Sequence, residues 1–368
     1  MNAKQINGKR RLSFEQAWAE AALLVASKRL RGLTVRCPSC HKRGTAFSKW
    51  IKGMREKPLY ICHVNRRNKL EACLLDKENA IRVKKKLSIY AEDVVKLLRL
   101  GRPFALFSGG KDSLCLVARM RKLAKTAGRG LTVIHAETSA GFPEIETYVE
   151  NVCKQLDVPL AVVHPHRDFF ETAKRWGIPS PRSRWCCKTL KVQPMTRYLK
   201  TVSEPKVIFD GIRAAESVGR AKYTPVWYHP TFKCISVSPI FYWSDAEIWR
   251  FIQKEKLPES PAVALNTSAE CWCGAYSGRQ DFEALLSIHP ELFDKLLEVE
   301  QAQKGKYTFL FENGQRVPLV QLKLPQNSQS MTVPASGTGN GNGNGKMRTQ
   351  GPTGRTSVPK PYSQIMNA

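Results

Sequence analysis

The sequence predicts an α/β protein built on a doubly wound parallel sheet, and three observations carry that expectation. From residue 103 onward, short apolar runs alternate with segments of helical periodicity, the pattern of parallel strands joined by crossover helices. A glycine-rich turn, Ser108-Gly-Gly-Lys-Asp-Ser113, stands between the first apolar run and the first of those helices. The remaining polar motifs fall just after apolar runs or in the loops beyond them, and open sheets bind ligands at the carboxyl ends of their strands.

The strand-like runs are Phe104 to Phe107, Leu131 to Ala136, Leu160 to His164 and Val207 to Gly211. Helical stretches lie between them at Leu114 to Ala127, Glu144 to Leu156 and Thr189 to Val202. Ser244-Asp-Ala-Glu247 has the form of a capping box and opens a further helix to Glu255. In the first turn, Gly109 and Gly110 allow the backbone N–H groups to point inward around an anion. The next helix adds its positive end, Lys111 a mobile cation, and Ser108 and Ser113 two hydroxyls. That combination is a phosphate cradle, although its spacing is not the common G-x-x-x-x-G-K-[ST].

Ahead of this domain, Ser13-Phe-Glu-Gln16 is a second capping box, and Trp18, Ala21, Ala22, Val25 and Leu30 follow at near-helical spacing, which predicts an amino-terminal helix within residues 1–34. Cys37-Pro-Ser-Cys40 forms a tight knuckle, and Leu59 to Cys62 and Leu70 to Cys73 flank the basic turn Asn65-Arg-Arg-Asn68 as a hairpin. Centred on that turn, Cys62 and Cys73 are expected opposite each other, so that Cys37, Cys40, Cys62 and Cys73 converge on one structural Zn²⁺ while His63 faces away. Residues 35–78 are thus expected to form a zinc-ribbon-like module and 79–320 the nucleotide domain. Residues 321–368, with Gly337-Thr-Gly-Asn-Gly-Asn-Gly-Asn-Gly345, are expected to be a disordered tail.

The chain of 368 residues has a net charge of +28. Residues 1–100 hold 24 Lys+Arg against 8 Asp+Glu, and residues 321–368 hold 5 against 0. Most of the positive field therefore lies outside the nucleotide domain, which favours an accessory surface for RNA or DNA. No run is long and apolar enough to span a bilayer, so a cytoplasmic protein is expected. The 11 cysteines then suggest metal or redox work rather than a secreted disulfide framework.

The turn at 108–113 resembles the PP-loop of the ATP pyrophosphatase (adenine nucleotide alpha hydrolase-like) superfamily. Three more segments narrow the resemblance to the phosphoadenylylsulfate (PAPS) reductase family: His135-Ala-Glu-Thr-Ser-Ala-Gly-Phe-Pro-Glu144, Arg184-Trp-Cys-Cys-Lys-Thr-Leu-Lys191 and Gly211-Ile-Arg-Ala-Ala-Glu-Ser-Val-Gly-Arg220. Pro239-Ile-Phe-Tyr-Trp-Ser-Asp-Ala-Glu-Ile-Trp249 is similar to the end of that domain. The resemblance implies that Ser108, Gly109, Gly110, Lys111, Asp112 and Ser113 hold an adenine nucleotide, either ATP or an adenylyl sulfate, with Glu137 and Thr138 beside it. Arg213 and Arg220 are expected to offer forked donors to phosphate or sulfate, aided by Arg184, Lys188 and Lys191. Glu216 fixes one of those arginines or meets the ribose, and Asp112 orients the loop or helps hold Mg²⁺.

Cys186, Cys187, Cys271 and Cys273 are similar to the cysteine pairs that hold a [4Fe-4S] cluster in adenylylsulfate reductases of this family, with Gly274 where the fourth ligand is expected. Iron-sulfur, zinc and a metal-free dithiol or persulfide relay all suit such thiols. Family reductases also carry a further cysteine on a carboxyl-terminal segment, and none follows Cys273 here. The leading expectation is therefore ATP cleavage between the α and β phosphates, activating a nucleic-acid acceptor such as tRNA or DNA for sulfur transfer. Lys111, Asp112, Cys186 and Cys187 are the expected catalytic residues, and a sulfur or electron donor protein is the expected partner. A sulfonucleotide reductase releasing sulfite is the second expectation, and a non-catalytic nucleic-acid binder the third.

Overall fold

Among the described residues, ten strands form one continuous sheet that joins the amino-terminal hairpin to the nucleotide domain edge to edge. The structure, a computed structural model, describes residues 25, 30–49, 57–65, 67, 70–264, 271–312 and 314–323. Most of the expected amino-terminal helix, Arg66 and the tail beyond 323 lie outside the described residues.

The hairpin region contributes β1 (Thr34–Arg36), β2 (Arg43–Lys49), β3 (Leu59–Val64) and β4 (Leu70–Leu74), followed by helices α1 (Lys77–Lys84) and α2 (Ala91–Leu98). Strand and helix then alternate as expected: β5 (Arg102–Leu106), α3 (Lys111–Ala127), β6 (Thr132–Ala136), α4 (Pro143–Gln155), β7 (Leu160–Val163), α5 (Phe169–Trp176), a π-helix at Cys187–Val192 running into α6 (Gln193–Lys200), and β8 (Lys206–Phe209). After a short α7 (Val218–Ala221) come β9 (Val226–His229), β10 (Cys234–Val237), α8 (Asp245–Lys254) and α9 (Pro261–Ala264). Helices α10 (Arg279–Ile288) and α11 (Pro290–Ala302) and a separate small hairpin complete the domain.

The order across the sheet is β4-β3-β2-β9-β10-β8-β5-β6-β7, with β1 beside β2. Strands β10, β8, β5, β6 and β7 run parallel. Side chains alternate between the two faces, as strand geometry requires. Phe104, Ile134 and Ile208 pack with Met195 and Leu199 of α6, while Ala105, Val133 and Phe209 share the main core with Leu114, Val117 and Met120 of α3. Helices cover both faces, so the sheet is doubly wound and its strands are apolar on both sides.

Strand β9 runs antiparallel to β10, and β2 pairs with it in parallel through Ser48 opposite Trp227 and Lys49 opposite Tyr228. Ser48 Oγ and Thr224 Oγ1, both buried, lie 2.5 Å apart beside that joint. A second tie is Asp93 of α2, fully buried, whose carboxylate accepts from Arg31 N at 2.6 Å and Gly32 N at 3.0 Å. The cysteine-bearing hairpin is therefore part of the same sheet as the nucleotide edge.

Candidate active site

Strand β5 delivers the chain to Ser108 at the carboxyl edge of the sheet. Gly109 follows with φ +84, and a Cβ there would lie 2.5 Å from Ile145 Cγ2, so only glycine fits. Gly110 is the N-cap of α3, and no side chain caps that helix. The first amides of a helix have no partner within it, so those of residues 111–113 are left to meet an anion. Ser113 Oγ donates to Gly110 O at 2.9 Å and accepts from Ser108 N at 3.2 Å. That hydroxyl braces the turn rather than facing a ligand.

The loop after β8 abuts the cradle, since a Cβ on Gly211 would sit 3.2 Å from Ser113 N. Arg213 departs from expectation. Its side chain is buried, with Nε 3.0 Å from Asp112 Oδ1 and one terminal nitrogen donating to Asp245 Oδ1 at 2.8 Å and Asp112 Oδ2 at 3.2 Å. The other terminal nitrogen donates to Trp243 O at 3.0 Å. A buried guanidinium needs such partners, because an unpaired buried charge is costly. Arg213 therefore ties α3 to α8 instead of being presented to an anion, and Asp112 is committed to Arg213. Burial acts to raise the Asp245 pKa, but Arg213 outweighs it and holds the carboxyl below its usual range. Lys111 Nζ stands farther off, 3.6 Å from Asp112 and 3.7 Å from Asp245, with the side chain partly exposed at the mouth.

Glu216 accepts from Arg213 N at 2.7 Å and pairs with Arg220, so it fixes an arginine. Arg184, Lys188 and Arg220 are exposed. Thr138 is buried within a turn in which Ser139 adopts φ +50, its N–H donating to the Glu137 carboxylate.

Cys186 and Cys187 sit where the π-helix begins, and an irregular loop brings Cys271 and Cys273 to them. The Cys186 and Cys273 sulfurs are 3.6 Å apart, and those of Cys271 and Cys273 3.5 Å apart. Trp272 N donates to Ala140 O at 2.9 Å, which links this loop to the turn after β6. A hydrogen bond shared by Cys186 and Cys187 pushes the Cys186 thiol up to about 12 and lowers that of Cys187. The Cys273 thiol is pushed up to about 11, first by its hydrogen bond with Cys186. Cys187 is thus more ready to ionise than Cys186 or Cys273. Gly274 has φ +85, and a Cβ there would come within 2.7 Å of Phe309 Cδ1. Position 274 cannot hold a thiol for that steric reason.

In the hairpin, the sulfurs of Cys37, Cys40 and Cys73 lie within 4.8 Å of one another. Cys62 is not among them. The register sets Ile61 opposite Cys73 and Cys62 opposite Ala72, so Cys62 and Cys73 point to opposite faces. Cys62 is fully buried in the core, and burial pushes its thiol up to about 12. The expected four-cysteine set is therefore corrected to three. The register also moves His63 onto the face of Cys73, contrary to expectation. Arg67 is exposed, and with Lys42, His63, Val64 and Asn65 it lines a cavity of about 470 Å³.

Three residues escaped the sequence. Asp245 was legible only as part of a capping box. Ser260 donates its hydroxyl to Gly109 O across a separation of 151 residues. Lys57 places its ammonium 3.3 Å from the Trp227 ring centre and 4.0 Å from that of Tyr223, and burial lowers its pKa to about 8. None carries a local signal beyond its own residue type.

The strand order and this cradle define a nucleotide-using α/β enzyme domain of the PP-loop class. Residues 102–264 match the family model of the phosphoadenosine phosphosulfate reductase domain. An uncharacterized protein of Methanocaldococcus jannaschii is 33% identical over 156 residues, 41% of this chain and 31% of that protein. Sulfate adenylyltransferase subunit 2 of Methylorubrum populi is 27% identical over 182 residues, 43% of this chain and 58% of that protein. The chain thus spans less than two thirds of the length of either relative. Among solved structures, a phosphoadenylyl-sulfate reductase from Candida auris in a phosphate complex is 18% identical, covering 54% of this chain and 96% of that one at a TM-score of 0.41. Among the described residues, no helix is long and apolar enough to cross a membrane.

Proposed function

We propose that this domain binds ATP at residues 108–113 and cleaves it between the α and β phosphates, adenylylating an acceptor oxygen so that sulfur can replace it. The observation that carries this reading is the glycine turn opening onto the uncapped amino terminus of α3, with Lys111 at its mouth. In the reaction, the acceptor oxygen attacks the α phosphorus, the bond to the β-bridging oxygen breaks, and pyrophosphate leaves. Lys111 and the amides of residues 111–113 neutralise charge that builds on the departing phosphates. Mg²⁺ would supply further charge neutralisation when bound, but Asp112, expected to help hold it, is taken up by Arg213. Arg184, Lys188 and Arg220 are exposed and would meet an anionic acceptor. Similarity to a protein named as a sulfate adenylyltransferase subunit supports adenylyl transfer as the reaction type.

The acceptor is taken to be nucleic acid, RNA or DNA, because the positive charge is concentrated in residues 1–100 and Arg67 stands exposed at the hairpin tip. Cys186, Cys187, Cys271 and Cys273 are the sulfur-handling centre, with sulfur arriving from a donor protein. Their all-thiol donor set also fits a [4Fe-4S] cluster. Purified protein given ATP, Mg²⁺ and candidate RNAs or DNAs is expected to release pyrophosphate, and Lys111→Ala to slow that release by about 10²–10³. No release with any acceptor overturns the reading. A second reading, reduction of an adenylyl sulfate to sulfite, is favoured by the family match itself. Sulfite release that disappears in Cys187→Ser protein would select it.

A further inference from the structure

We propose that Cys37, Cys40, Cys73 and Nδ1 of His63 form a four-coordinate zinc site, with Glu71 as the residue that positions the imidazole. The inference stands apart from the reaction proposed above and concerns only the hairpin.

The three sulfurs lie within 4.8 Å of one another. Zn–S bonds of about 2.3 Å in a tetrahedron set the sulfurs about 3.8 Å apart, so one ion suits this spacing. The turn is already shaped for it. Backbone amides of Ser39 and Cys40 donate toward the Cys37 sulfur, His41 takes the left-handed conformation at φ +57, and its N–H closes the turn on Cys37 O at 3.0 Å. Three thiolates leave one tetrahedral position for a fourth donor.

His63 is the donor the register supplies, although its ring nitrogens do not lie within 4.8 Å of all three sulfurs, so the imidazole must close on the ion as it binds. It lies opposite Glu71, two positions along β3 from Ile61, which faces Cys73, so His63 and Cys73 are diagonal neighbours on one face. The imidazole is only 6% exposed, and its Nδ1 is buried without a hydrogen-bond partner. Its Nε2 meets Glu71 Oε2 at 2.8 Å. That carboxylate also receives Lys42 Nζ at 2.7 Å and Asn65 Nδ2 at 3.0 Å, so it acts as an acceptor and fixes the proton on Nε2. Nδ1 is then a bare lone pair in a dry place, which is costly unless something accepts it. A carboxylate–histidine pair with the other ring nitrogen free is the arrangement that supports a metal-bound imidazole. Cys62 is excluded by its face, and His41 is exposed. With all four positions filled by protein, such an ion is structural, and it would anchor the hairpin that displays Arg67.

The test uses full-length protein carrying Cys187→Ser and Cys271→Ser, which removes the second thiol set as a competitor for metal. X-ray absorption at the zinc edge is expected to show three sulfur neighbours near 2.3 Å and one nitrogen at about 2.0–2.1 Å. Four sulfurs, or no bound zinc, would overturn the proposal without any change in the hairpin. In chelator competition, Glu71→Ala is expected to weaken zinc about 10–100-fold and His63→Ala to weaken it further. Cys62→Ala and His41→Ala are expected to leave the affinity unchanged. Unchanged affinity in His63→Ala, or a loss confined to Cys62→Ala or His41→Ala, would also overturn it.

Discussion

The chain holds two clusters of cysteine built on opposite principles. Cys37, Cys40 and Cys73 sit on a knuckle and an edge strand of the sheet, with backbone amides aimed at one sulfur and a buried histidine on the same face of the hairpin as Cys73. Cys186, Cys187, Cys271 and Cys273 sit on a π-helix and an irregular loop, joined to the turn after β6 and close to the nucleotide edge. The first arrangement is regular and suits a closed, permanent site. In the second, the hydrogen bond between Cys186 and Cys187 raises the first thiol and leaves Cys187 the easier of the two to ionise, which suits chemistry. The same side chain thus becomes a fastener or a reagent according to the backbone that carries it.

The contrast predicts where each region is fragile. The largest expected effect on stability is at the nucleotide edge, where Arg213→Met would leave Asp112 and Asp245 without their shared cation. Urea unfolding should show a loss of about 3–5 kcal/mol, with zinc still bound at the hairpin. A loss confined to a few tenths would mean that the ion pairs are not buried in solution.

A smaller effect is expected at Gly274. Alanine there meets both a left-handed backbone and the Phe309 ring, so Gly274→Ala should cost about 1–3 kcal/mol and raise the alkylation rate of the neighbouring Cys273. If alkylation of Cys273 stays slow, the loop does not rely on that glycine to hold its thiols.

A third effect is read along the pH axis and concerns Lys57, beside the joint between the two regions. Burial lowers its pKa from 10.5 to about 8 in the folded chain, so between those values the unfolded chain binds the extra proton. Stability should therefore rise as pH climbs from about 8 to 10.5, and Lys57→Met should lack that rise relative to wild type. Comparing the two proteins cancels the cysteine titrations they share. Parallel pH profiles would show that the Lys57 ammonium keeps its ordinary pKa between Tyr223 and Trp227.

Much of the nucleotide domain was legible in advance, because its signals are local. Apolar runs of four to six residues, a Gly-Gly turn and a capping box at Ser244 each announce themselves within a few residues. Strands β9 and β10 did not, since His229 and Ser236 interrupt their apolar character and their partners lie far along the chain. The π-helix at Cys187–Val192 was likewise merged with α6 in a helix expected from Thr189, because both share helical spacing. At the site, the cradle glycines were readable, whereas the burial of Arg213 required Asp245 from a helix 32 residues away.

What the order of residues determined alone was the glycine turn and the parallel strands that present it, because turn chemistry and hydrophobic period act over a single element. What the folded chain decided was pairing. A hairpin displaced by one residue turns Cys62 into the core and brings His63 to the face of Cys73, and that displacement is chosen by packing on both sides of β3 rather than by the turn sequence. The junction of β2 with β9 is of the same kind: backbone hydrogen bonding between strands carries no residue code, so only the assembled sheet could join the two regions.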